Sequence, residues 1–312
     1  MTHPRRFRFG VQLSTAPTGA DWASLARRAE ALGYSSLLLP DHFGDQLAPL
    51  PAMMAAADAT TELRVGALVH DNDFKHPVVL AKELATVDVL SGGRVEVGLG
   101  AGWMTSDYEQ SGIPMDPAGV RVDRMEEAIT VLKGCFAGEP FDFSGSHYRI
   151  SGLTGTPVPV QRPHPPLIIG GGGRRVLGIA AREADVVGIN PALRSGTIDA
   201  EAARDAGADA TDRKLGWVRD AAGARFDDLE LNCLILAPVV TDDVDGSAAL
   251  MGSMFGMSAT ELLDSPHVLI GDTSRMAEVL EQRRDRWGFS YIVVQGDAME
   301  PFAPVVERLR GT

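Results

Sequence analysis

Apolar residues along this chain come in short blocks whose period changes from one block to the next. Phe7, Phe9, Val11 and Leu13 recur at every second position, the spacing of a strand. Trp22, Leu25, Ala29 and Leu32 recur at threes and fours, predicting a helix that Asp21 caps and Gly33 ends. The run Ser35-Ser36-Leu37-Leu38-Leu39 reads as a fully buried parallel strand. Pro40 lacks an N–H and cannot continue a central ladder, so that strand stops there. A helix over about 49–60, a strand over 63–69 and a helix opened by His76-Pro77 follow. That helix aligns Leu80, Leu84 and Val87 and ends at Ser91-Gly92-Gly93, before a fourth strand carrying Val95, Val97 and Leu99.

The next helix bears Val122, Met125, Ile129, Leu132 and Phe136 on one stripe. An interruption follows. Phe141, Phe143, Tyr148 and Ile150 flank Ser144-Gly145-Ser146-His147 as in a hairpin, and residues 156–166 are too proline-dense for regular structure. Alternation resumes with a strand over 167–170, a glycine run, a helix over 174–183 and a sixth strand over 186–189. Residues 191–212 read as an irregular excursion, then a helix near 213–222 and a seventh strand over 231–239. Residues 240–270 form a second variable stretch with a capping box at Ser258 and Glu261. A helix over 273–287 and a strand over 291–295 bring the strands to eight.

Eight strands, mostly each followed by a helix, predict an α/β chain folded as a (β/α)8 TIM barrel over residues 1–312, one domain with insertions after the fourth, sixth and seventh strands. A doubly wound sheet is the alternative. Against it, no G-x-G-x-x-G follows the first strand, and Gly98-Leu99-Gly100-Ala101-Gly102 lacks the fingerprint's spacing.

Composition narrows the picture. Of 312 residues 45% are hydrophobic and 23% charged, as in an ordinary folded enzyme. The formal charge of −13 argues against nucleic acid or anionic membrane as a partner. Cys135 and Cys233 lie in apolar runs and read as free, buried thiols of a reducing compartment. No apolar core follows Arg5, Arg6 and Arg8 as in a signal peptide, and no stretch is long enough to span a bilayer, so the expected location is cytoplasmic.

A barrel gathers its chemistry at the carboxyl ends of the strands. There lie Asp41-His42, the loop of residues 70–75, Gly100 to Trp103, and Gly170-Gly171-Gly172-Gly173-Arg174-Arg175. A carboxylate beside an imidazole suits proton transfer, although most such pairs are solvated turn residues. Four glycines between a strand and a helix offer backbone N–H groups and a positive dipole to a phosphate, with Arg174 and Arg175 adding charge; a flexible turn is the alternative. The loop His70-Asp71-Asn72-Asp73-Phe74-Lys75-His76 has no partner cluster with ligand spacing, so no metal is expected. Trp103 suits stacking or mouth packing, and Asp107 and Glu109 read as surface residues.

Several motifs recur together. They are Pro40-Asp41-His42-Phe43, Val65-Gly66-Ala67-Leu68-Val69, His76-Pro77, Leu90-Ser91-Gly92-Gly93-Arg94, Gly98 to Trp103, Arg124 to Leu132, and the glycine run. In this order the chain resembles the bacterial luciferase-like monooxygenase superfamily, specifically its coenzyme F420 (deazaflavin)-dependent oxidoreductases. The resemblance covers most of residues 7–190 and is looser beyond. It implies a deazaflavin ring in the mouth, resting on a strand-three bulge with a non-proline cis peptide, expected at Ala67–Leu68. It implies a phosphate at Gly171, Gly172 and Gly173, with Arg174, Ala67, Leu68 and His70 also contacting the coenzyme. Asp41 and His42 match the catalytic acid–histidine pair, with Asp41 orienting His42. FMN is the alternative coenzyme, and a flavin-holding barrel without turnover a third reading. The substrate is expected to be a small organic molecule, and the chain a homodimer. In related sugar-phosphate dehydrogenases a glutamate follows the glycines of strand four. Here Trp103 stands in its place, which argues against a sugar phosphate.

Overall fold

Eight strands run parallel in the computed structural model, which describes residues 5–312. They are β1 (Arg8–Gln12), β2 (Ser36–Leu39), β3 (Arg64–Ala67), β4 (Val95–Gly100), β5 (Leu167–Gly171), β6 (Val186–Ile189), β7 (Glu230–Ile235) and β8 (Phe289–Gln295). Each hydrogen-bonds to the next, and β8 returns to β1 in the register Arg8↔Tyr291 to Gln12↔Gln295. The sheet is therefore a closed (β/α)8 barrel. Leu37 and Leu39 pack outward into the layer shared with the helices, while Leu38 points inward with Ile168, Tyr291 and Val293. Burial on both faces is what makes the strand an unbroken leucine run.

The helices are α1 (Gly19–Ala31), α2 (Pro49–Ala59), α3 (Pro77–Leu90), α4 (Thr105–Ser111), α5 (Ala118–Ala137), α6 (Arg174–Glu183), α7 (Ala200–Asp205), α8 (Ala208–Ala222), α9 (Val244–Phe255), α10 (Ala259–Asp264), α11 (Thr273–Trp287) and α12 (Met299–Leu309). The stripe Val122, Met125, Ile129, Leu132 and Phe136 on α5 is buried. The cap of α1 is Thr18 rather than Asp21; its hydroxyl accepts the Asp21 N–H and donates to the Asp21 carboxylate. Both cysteines are free and buried, and Ser258 and Glu261 form the expected capping box. Among the described residues no helix is long and apolar enough to cross a membrane.

Insertions follow β4, β6 and β7. The first carries α4 and, beyond α5, the hairpin of Pro140–Ser144 and Arg149–Thr154. The second is the segment 190–199 with α7; the third holds α9 and α10 beside a small parallel sheet of Ala237–Val240 and Val268–Gly271. Here the structure shortens the expected seventh strand. The Leu236 N–H donates to the His267 carbonyl at 2.9 Å, so the chain leaves the barrel after Ile235 although the sequence stays apolar.

The amino-terminal end of the barrel is closed by charge. Glu96, 1% exposed, takes Arg8 at 2.5 Å, Arg64 at 2.8 Å and the Tyr291 hydroxyl at 3.0 Å, and Arg8 also meets Glu230 at 2.7 Å. Burial would raise the Glu96 carboxyl, but Arg8 and Arg64 hold it below the ordinary carboxylate range. This ionic floor lies at the end of the barrel opposite Asp41 and His42.

Candidate functional site

Asp41 and His42 follow β2 directly, beyond the proline that ends it. The His42 Nδ1 lies 2.6 Å from Oδ2 of Asp107, whose Oδ1 accepts the Phe43 N–H at 3.2 Å. Gln46 donates to the carbonyls of His42 and Pro40 and fixes the turn. Asp107 stands in the first turn of α4, where the helix dipole favours a carboxylate, and is 5% exposed. Two expectations are corrected here. The carboxylate that orients His42 is Asp107, not Asp41, and Asp107 is no surface residue. The adjacent Asp41 diverges from His42: its Oδ2 accepts the Asp71 N–H at 3.1 Å and lies 3.6 Å from Nδ1 of His70. Glu109 is exposed. With Nδ1 engaged, Nε2 is the ring nitrogen of His42 left to exchange a proton.

Trp103 meets the His42 ring edge-on, with centroids 5.6 Å apart and planes at 89°. Behind it the charged side chains of loop 70–76 are paired. The Tyr108 hydroxyl donates to Asp71 at 3.1 Å and sits 3.0 Å from Asp73, which pairs with Arg124 at 2.7 Å. Lys75 pairs with Glu83, and His76 caps α3. Burial pushes the Asp71 carboxyl up to about 7, with the charges of Asp73 and Asp41 adding and the Asp73 N–H and Tyr108 O–H opposing. A carboxyl that binds its proton more tightly folded than unfolded favours the fold at low pH. That contribution fades as pH rises from about 4, the unfolded value, through about 7. Asp71→Asn should therefore gain stability relative to wild type between pH 5 and pH 8, by an amount on the order of 2–4 kcal/mol. Thermal melts of both proteins across that range check it; parallel curves would refute the buried-carboxyl account.

The expected third strand is split. β3 ends at Ala67, which is buried, and pairing with β4 resumes at His70 and Asp71. The cis peptide lies between Leu68 and Val69, one bond later than the expected Ala67–Leu68. The bulge leans on β4, where glycine is required: a Cβ on Gly98 would stand 1.9 Å from the Ala67 carbonyl, and one on Gly100 2.6 Å from Val69. Gln12 donates to the Leu68 carbonyl at 2.9 Å. Nε2 of His70 is buried without a hydrogen-bond partner.

Across the mouth, Gly171 ends β5 and Gly173 is the N-cap of α6, which no side chain caps. A Cβ on Gly172 would strike the backbone of Pro191 and Ala192, whereas one on Gly173 would meet nothing within 4 Å. A helix N-terminus thus opens onto free space, beside an exposed Arg174. Arg175, by contrast, turns away to Asp123. The N-terminus of α11, after β7, is closed by Asp272, whose carboxylate accepts the Arg275 N–H at 2.8 Å. The backbone N–H groups at the start of α11 thus have a carboxylate cap of their own, whereas no side chain caps the start of α6.

The segment after β6 ties the two halves of the rim together. The Asn190 N–H bonds the Gly171 carbonyl at 3.0 Å, and the Thr105 N–H bonds the Gly196 carbonyl at 3.4 Å, beside Trp103. The buried Lys214 anchors it, donating to the Asn190 carbonyl and pairing with Asp205 at 2.7 Å. Asp107, Gln12 and this strap are what sequence reasoning missed.

The family model for luciferase-like monooxygenases matches residues 5–226. An FMNH(2)-dependent dimethylsulfone monooxygenase of Pseudomonas putida is 37% identical over 127 residues, which cover 41% of this chain and 35% of that enzyme. The chain thus spans about a third of that relative's length. The coenzyme F420 dependent tetrahydromethanopterin reductase of Methanopyrus kandleri superposes with a TM-score of 0.75 at 17% identity, covering 98% of this chain and all of that one. An F420-dependent secondary alcohol dehydrogenase, solved with an F420-acetone adduct, gives 0.76 at 19% identity over 98% of this chain and 100% of its own. At these identities the two superpositions speak for the fold alone.

Proposed function

The chain belongs to the luciferase-like monooxygenase family, and on that premise we propose that it is a coenzyme F420-dependent oxidoreductase acting on a small organic substrate. The observation that carries this reading is the 2.6 Å contact that fixes His42 through Nδ1 and leaves Nε2 for the mouth. The residues present suit a phosphate-bearing coenzyme. Gly172 and Gly173 with the uncapped start of α6 would hold the phosphate, Arg174 would add charge, and Ala67 and Leu68 at the bulge would back the ring. The buried, unpartnered Nε2 of His70 is a polar atom that a group bound nearby would satisfy.

When bound, a deazaflavin supplies hydride transfer at its ring carbon C5. His42 would hold the accompanying proton on Nε2, giving it to the substrate in reduction and taking it back in oxidation. Asp107 would keep the imidazole in one orientation; Asp41 would order His70 and the backbone of the 70–71 segment instead. The strap and Trp103 would limit water at the reacting atoms.

The second reading is an FMN-dependent monooxygenase, which the Pseudomonas putida relative favours. Absorbance titration with each coenzyme separates the two. The F420 reading expects saturable spectral change with coenzyme F420 and weaker binding of FMN; tight FMN binding with none for the deazaflavin overturns it.

A further inference from the structure

The wall that faces His42 is aromatic and acidic, and its cations are spent. Trp103 lies edge-on to the imidazole, and Phe43, 49% exposed, packs against Phe74 with planes tilted by 36° and centroids 4.4 Å apart. Residues 40–47 and 101–112, which form this side of the mouth, contain no lysine or arginine. They contribute Asp41, Asp45, Asp107 and Glu109. The cations on adjoining segments are engaged elsewhere. Arg121 donates to the carbonyls of Ala101, Gly102 and Asp116, and Arg124 lies between Asp73 and Asp116. Lys75 pairs with Glu83, and Arg194 of the strap turns outward, 75% exposed, within 3.7 Å of Glu201. A substrate carboxylate or phosphate entering beside His42 would lose its hydration, meet like charge and find no lysine or arginine on residues 40–47 and 101–112. A flat apolar molecule would instead be held against the Trp103 ring.

We propose that Trp103 is the specificity-determining residue of this site and that the substrate is neutral and apolar, an aromatic or conjugated carbonyl compound rather than an acid or a sugar phosphate. This rests on the reading of His42 as the group beside which the substrate reacts. A matched pair of probes tests it: methyl cinnamate, and cinnamate itself, which differs by one negative charge. The protein is first saturated with coenzyme F420, followed by its absorbance. Should only FMN saturate it, the coenzyme reading falls while the present inference is still measured on the FMN-loaded protein. Each probe is then titrated calorimetrically at pH 8. The ester is expected to bind at least about tenfold more tightly than the acid. Trp103→Ala should weaken the ester about tenfold with coenzyme affinity within about threefold of wild type, and Trp103→Phe should restore most of the loss. Equal affinity for the two probes, no measurable binding of either, or an unchanged ester affinity in Trp103→Ala overturns the proposal.

Discussion

Replacing His42 with alanine is expected to lower coenzyme-dependent turnover by roughly 10²–10⁴-fold while leaving coenzyme affinity nearly unchanged. The imidazole sits on the turn after β2 and touches the protein through Asp107 and the edge of Trp103. Its removal vacates a partly exposed position but takes one partner from the buried Asp107 carboxylate, so melting of the variant is followed beside its kinetics. A loss confined to kcat marks a group whose contribution is made in the transition state; a loss confined to KM would mark a binding residue instead. The two neighbouring aspartates provide the control. Asp107→Asn keeps an acceptor for the Nδ1 proton but removes the charge, and roughly 10–10² of turnover should go with it. Asp41→Asn should leave His42 in place, because its hydrogen bond runs to the Asp71 backbone. Equal defects in the two variants would mean that the 2.6 Å contact does not govern the imidazole. Wild-type turnover in His42→Ala would remove the histidine from the chemistry altogether.

The barrel was legible because its two periods are written plainly in the sequence. Strands buried on both faces appear as unbroken runs such as Leu37-Leu38-Leu39, and helices as stripes such as Val122 to Phe136. Chain termination was legible where chemistry forces it, as at Pro40 and the glycines after the helices. What failed was register and partner choice. The run 233–239 holds no polar side chain, and its one local signal, Pro238, comes two residues after the exit at Leu236, where pairing with His267, thirty-one residues on, takes over. Strand three breaks because Gly98 and Gly100 on the neighbouring strand admit its carbonyl and Val69. Both glycines were plain in the sequence, but that they face strand three is a long-range fact. The partner of His42 was missed for the same reason. Asp41 is adjacent in sequence, whereas Asp107 reaches the imidazole only because α4 folds back over the mouth.

These misses share a physical origin. A single strand-end dipeptide specifies that polar groups emerge at the rim, but the side to which each turns is set by the loop that packs against it. Loop 70–76 claims Asp41 and α4 claims His42, so two adjacent residues turn to different partners. The coenzyme question belongs to the same scale. A phosphate seated at the glycines after β5, as proposed, would be common to deazaflavin and flavin, so the distinction would have to come from contacts to the ring.

Placing an aspartate at Gly173 should set stability and binding in opposition. Gly173 is the N-cap of α6, its backbone is extended with φ −89° and ψ 145°, and an added side chain would meet no atom within 4 Å. Aspartate is among the preferred N-caps, so Gly173→Asp should hold or slightly raise the melting temperature, with a gain of a few tenths of a kcal/mol. The same carboxylate would then occupy the donors offered to a phosphate and put a like charge about 4 Å from it. At an effective dielectric near 20 that repulsion is about 4 kcal/mol per pair of unit charges, enough for a hundredfold or greater loss of coenzyme affinity. Gly173→Asn supplies the same cap without the charge and should lose only about tenfold. Raising the salt concentration should close part of the gap between the two variants, since the charge term is screened and the competition for N–H donors is not. If the aspartate variant melts as expected yet binds coenzyme like the wild type, the phosphate is seated elsewhere. The glycines after β5 would then serve the turn alone.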